Sequence, residues 1–138
     1  MKRLLPATGV ATVLSLVLAG LAACSPSPSK VLSEMQEAAA RGDATRFASY
    51  FTSAERPFAE ALVSIQKDVR GDEPGKPPIQ GIYRSVVVDE KIEGDTAFVT
   101  ASSPDGQFIL VFVREDGAWR LDAAATEQHR DDNGGGAR

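Results

Sequence analysis

Between Lys30 and Val69 the large apolar residues recur at helical spacing, from Ile79 to Leu121 they recur every second residue, and the two regimes never alternate. A helix buries a stripe and a half-buried strand buries one side, so this order calls for helices gathered on one face of an antiparallel sheet, an α+β domain. Val31, Leu32, Met35 and Ala39 share one helical face that ends at Gly42, an expected C-terminal breaker. Asp43 can cap a second helix whose Phe47, Tyr50 and Phe51 make an aromatic inner face. Thr52-Ser53-Ala54-Glu55 reads as a capping box for a third helix, with Phe58, Leu62, Ile65 and Val69 as its inward stripe. The run Gly71 to Pro78 breaks it.

Four strands follow. Ile82, Val86 and Val88 are expected on one face of the first, and Glu93-Gly94-Asp95 turns into the second, where Ala97, Val99 and Ala101 oppose Thr96, Phe98 and Thr100. After the turn Ser103-Pro104-Asp105-Gly106, the stretch Phe108 to Val113 is apolar on both faces, which marks a central strand. Glu115-Asp116-Gly117 makes a tight hairpin, and Trp119 and Leu121 point inward from the last strand. The three helices can cover Phe108, Leu110 and Phe112. Ile109, Val111 and Val113 then need the sheet's own curvature, the C-terminal tail or a partner, and an envelope protein or a weak homodimer through this sheet face is the expectation.

The ends of the chain read differently. Lys2 and Arg3 precede a short apolar run that closes at Leu21-Ala22-Ala23-Cys24, with the one cysteine of the chain last. A basic start, an apolar middle and small residues before a cut define an export signal. From Ala11 to Ala23 the run is shorter than the roughly 20 residues a spanning helix needs, and Leu21 is too bulky for an ordinary signal peptidase. Residues 1–24 resemble bacterial lipoprotein signals, which implies cleavage after Ala23 and acylation of Cys24. Two or three acyl chains hold a protein firmly on a membrane. With Cys24 so used, no disulfide can form within the chain, and the core alone must hold the fold. Residues 24–29 read as a Ser/Pro tether, 30–122 as the folded domain and 123–138 as a disordered tail.

Removing Lys2 and Arg3 from the 15 basic residues leaves 13 against 19 acidic ones, a formal charge of −6 for the mature part. That balance, with no basic cluster, speaks against nucleic acid and against peripheral attraction to anionic lipid. His129, the one histidine, falls in the expected tail and is not a placed base or metal ligand there. Gly134-Gly135-Gly136 follows no strand and opens no helix, so no phosphate loop is expected. Catalytic residues, metals and cofactors are all expected to be none.

Arg41-Gly42-Asp43, the aromatic Phe47 to Phe51, Gly94-Asp95-Thr96-Ala97-Phe98-Val99 and the closing run Val113 to Asp122 together look like the cystatin-like, nuclear-transport-factor-two-like cone fold. Small bacterial lipoproteins of uncharacterised function carry such a cone behind a lipobox, and the resemblance spans residues 30–122. It implies a curved sheet wrapped around helices. Cone-fold enzymes such as ketosteroid isomerase set a carboxylate and hydroxyl or acid donors in an apolar pocket. The matching candidates here are Tyr50, Tyr83, Glu60 and Asp89, and Tyr50, Phe51, Tyr83 and Trp119 are the candidate pocket. Each also has a plain reading: Tyr50 on a core stripe, Tyr83 at a strand start, Glu60 on a polar helix side and Asp89 in a charged run. Because the fold hosts both enzymes and binders, the reading taken is a membrane-anchored envelope lipoprotein acting as a non-catalytic binding or accessory module. A small-molecule-binding cone or isomerase-like enzyme is the alternative. Its address is the cell membrane or, in a two-membrane organism, the outer membrane.

Overall fold

The computed structural model describes residues 25–69, 82 and 84–134, with the backbone alone for residues 65–69 and 134. Among these residues the protein is α+β, with α1 (Pro28–Ala40), α2 (Ala44–Ser49), α3 (Arg56–Val69), β1 (Val86–Glu93), β2 (Thr96–Ser103), β3 (Gly106–Glu115), β4 (Ala118–Leu121) and α4 (Ala123–Gly134). The strands form one open antiparallel sheet in the order β1-β2-β3-β4.

Helix α1 starts earlier than expected and takes up the last two residues of the tether. Ser27 is the N-cap, its hydroxyl accepting from the Lys30 amide at 3.2 Å, and Pro28 opens the helix where its missing N–H costs nothing. At the other end Gly42 adopts φ 68°; its amide donates to Ala39 and the Asp43 amide to Ala38, which satisfies two terminal carbonyls. Asp43 caps α2 as expected, its Oδ1 accepting from the Arg46 amide at 3.0 Å.

The core lies between α1 to α3 and one face of the sheet. Val31, Leu32, Met35, Phe47 and Phe51 meet Ala97, Val99, Ala101, Leu110, Phe112, Trp119 and Leu121. Register explains the set: Ala97 pairs with Phe112, Val99 with Leu110 and Ala101 with Phe108, so small residues on β2 make room for large ones on β3. The Asp116-Gly117 turn has φ of 53° and 76°, the left-handed pair that a two-residue hairpin matching strand twist requires.

Three expectations need correction. Helix α3 turns Ala59 and Val63 fully inward and leaves Phe58 63% exposed, so its stripe is rotated from the one through Phe58; the small Ala59 is what permits close approach to the neighbouring core. On β1 it is Val87 that packs on the core while Val86 and Val88 face solvent, because the register shifts between Val87 and Asp89. The third correction is the tail, which is helical from Ala123 to Gly134.

Helix α4 settles what covers Val111. Strand β4 stops at Leu121, leaving part of β3 without a strand on that side, and the chain returns over it: the Val111 amide donates to Thr126 Oγ1 at 2.9 Å and its carbonyl accepts from the Asp122 amide at 2.9 Å. His129 reaches Phe98 on β2, with ring centroids 5.1 Å apart. Val111 is consequently only 4% exposed, although it is not part of the main core.

Candidate functional site

The sequence-derived site residues separate into three groups. Leu21, Ala22, Ala23, Cys24 and Tyr83 lie outside the described residues. Glu60 and Asp89 are exposed, Glu60 on α3 and Asp89 on β1. Tyr50, Phe51 and Trp119 are buried in one core with the large side chains of α1, α2 and β3.

Those three aromatics are committed to packing and local polar contacts. Phe51 tilts against Phe47 with centroids 5.2 Å apart. Its backbone segment extends the sheet by one parallel bridge: the Leu121 amide donates to Tyr50 O at 2.8 Å and the Thr52 amide to Leu121 O at 3.1 Å. The Tyr50 hydroxyl donates to Glu34 Oε2 at 3.1 Å and accepts from Arg46 Nε at 3.3 Å. That second bond, helped by the tyrosine oxygen's and Glu34's electrostatics, pushes the Arg46 guanidinium up from its ordinary value. Trp119 is covered by the Arg114 guanidinium, 4.4 Å from the ring centroid, and Arg114 is held in turn by Asp95 through a backbone bond of 2.9 Å and an ion pair at 3.9 Å.

A polar cluster that sequence reading missed lies where α3, β3 and α4 meet. Glu55 Oε2 accepts from the Ala123 amide at 3.0 Å and Oε1 from the Ala124 amide at 2.9 Å, while Asp122 Oδ1 takes the Ala125 amide at 2.8 Å. The orphan donors at the start of α4 are thereby satisfied by a carboxylate 68 residues away in sequence. The capping box read at Thr52 to Glu55 does not form, because the Thr52 amide is already taken by Leu121. Glu55 keeps the Thr52 hydroxyl, which donates to its Oε2 at 3.0 Å, and caps a different helix.

Glu115 sits beside this junction. Its carboxylate accepts from the Ser53 hydroxyl at 2.5 Å and amide at 3.0 Å, and Arg56 Nη2 lies 3.7 Å away. The Ser53 hydroxyl, then the Ser53 amide, hold the Glu115 carboxyl below the ordinary carboxylate range; partial burial opposes this, and Arg56 and Arg120 add to it. Arg120 Nη1 donates to Ser49 O at 2.8 Å. On β1, Lys91 is pushed up by its hydrogen bond and ion pair to Glu93, 2.5 Å away. Among the described residues no group of three or more His, Cys, Asp or Glu is placed to hold a metal ion, and no helix is long and apolar enough to cross a membrane.

No protein-family model matches the chain, nor does any curated protein or solved structure.

Proposed function

We propose that this protein is an envelope lipoprotein, acylated at Cys24, whose folded domain is a cystatin-like cone acting as a non-catalytic binding or accessory module. The observation that carries the reading is how the aromatic residues are used. Tyr50, Phe51 and Trp119 are spent on the core and on Glu34, Arg46 and Arg114, whereas Phe58 on α3 stands outward. Recognition by surface draws on that arrangement, and a pocket lined by the same aromatics does not.

The start of the described chain adds an orientation. Ser25, the residue after Cys24, donates its hydroxyl to the Gly117 carbonyl at 2.9 Å. An acylated Cys24 therefore brings the β3–β4 turn toward the bilayer and sends the β2–β3 turn at Ser103 to Gly106 outward.

Two measurements test this. Cys24→Ser removes the thiol that forms the thioether, so metabolic labelling with a fatty-acid analogue should tag the natural chain and leave the serine variant untagged with its signal uncut. A tagged serine variant overturns the address. For the binding role, a photo-crosslinker at position 58 in intact cells should capture an envelope component, and a chain that captures none there overturns the accessory reading.

A further inference from the structure

Among the described residues strand β1 is an edge of the sheet, hydrogen-bonded to β2 on one side. Val86, Val88 and Ile92 along it are 69%, 54% and 50% exposed. An edge strand presents a row of unpaired N–H and C=O groups, which charges and bulges either protect from pairing or restrict to one pairing. The order of side chains on β1 decides between these. Asp89 and Lys91 lie on the face shared with Thr100 and Phe98, and Glu90 and Ile92 on the face shared with Val99 and Ala97.

We propose that β1 pairs antiparallel with β1 of a second copy about a two-fold axis at Glu90, joining two sheets into one of eight strands. In that register Asp89 of each copy opposes Lys91 of the other, so symmetry makes this favourable pair twice. Directly opposed residues must share a face, so the axis has to pass through a residue. Moving it to Asp89 sets Asp89 on Asp89; moving it to Lys91 sets Lys91 on Lys91 and Asp89 on Glu93. Both neighbouring registers oppose like charges. The charges that protect the edge from other strands thus select this one.

Glu90 does not spoil the axis, because its carboxylate is drawn to the start of α1. There it accepts from the Ser29 amide at 2.7 Å and from the Ser29 hydroxyl. The bulge at Val88 bends the strand and limits regular pairing to Asp89 through Lys91, which fits a weak dimer rather than an obligate one. This interface is separate from the outer sheet face that α4 crosses. It also does not depend on acylation of Cys24.

The test uses the full chain, from whichever fraction of the cell holds it, prepared in ¹⁴N and ¹⁵N forms that are mixed and treated with a carbodiimide. Carbodiimide joins a carboxylate to an adjacent amine with loss of water, and isotope mixing separates links between copies from links within one. An isotope-mixed Asp89–Lys91 amide is expected. Asp89→Lys and Lys91→Asp should each weaken self-association about tenfold, since each replaces two exposed opposite-charge pairs by like charges. The double variant should return it to within roughly threefold of the parent. Both side chains are exposed, so thermal unfolding should be unchanged and reports any loss of fold separately. A monomer at every concentration, an Asp89–Lys91 link confined to one copy, or a dimer indifferent to both charge reversals overturns the proposal, whereas a Lys91–Glu93 link within one copy is expected in any case from their 2.5 Å ion pair. So does a link from Lys91 to a different protein without the isotope-mixed product, which would assign the edge to a foreign strand.

Discussion

Trp119 and Glu115 belong to the same hairpin and contribute in opposite ways. Trp119 is buried against the core with Arg114 on its ring, so Trp119→Ala should cost about 3–5 kcal/mol. Against a total of roughly 5–15 kcal/mol that is a large share, so the melting temperature should fall clearly, and a melting curve unmoved by the change would contradict the burial. Glu115 stabilises through charge. Its folded carboxyl is held below the range it has in the unfolded chain, so protons bind preferentially to the unfolded state. The contribution is complete above the ordinary carboxylate range and is lost as pH falls through the lowered folded value. Glu115→Gln should therefore be less stable near neutrality, with the gap closing on acidification; urea midpoints that run parallel at all pH values would refute this. Trp119 was legible as an inward residue from its alternation with Ala118 and Arg120. Ser53 as the partner of Glu115 was not, because 62 residues separate them and nothing local links the two.

At the scale of elements, α4 is the most informative case. Read locally, Ala123 to Gly134 has no large apolar residue and no reason to dock. It folds because Glu55 and Asp122 satisfy its first amides and because Thr126 fills a vacant hydrogen-bonding position on β3. Removing a helix cap costs about 0.5–2 kcal/mol, so Glu55→Ala should release α4 selectively. Hydrogen exchange is expected to quicken across residues 123–134 and at the Val111 amide, while β2 and the rest of β3 keep their protection. Uniform loss of protection would show instead that Glu55 supports the whole core. Helices α1 and α2 were legible down to their caps at Gly42 and Asp43, since those signals act within one turn. The rotation of α3 was not, because whether Phe58 or Ala59 faces inward depends on how near α2 and the sheet come.

For the molecule as a whole, the switch from helical spacing to period two determined an α+β arrangement by itself, and the alternation in β2 determined which of its residues form the core face. Those are local regularities, and they survive folding because hydrophobic burial obeys the same periods. The lipid-anchor address proposed from Leu21 to Cys24 rests on sequence alone, since those residues lie outside the described ones. Tertiary structure alone decided the use of what remained. Tyr50, Phe51 and Trp119 could have lined a pocket or filled a core, and their neighbours Phe47, Phe112 and Leu121 made them core. Val111 could have faced a partner or a helix, and distant caps on α4 made it the helix. Such choices turn on contacts between residues far apart in sequence, where no short-range pattern reports which groups will meet.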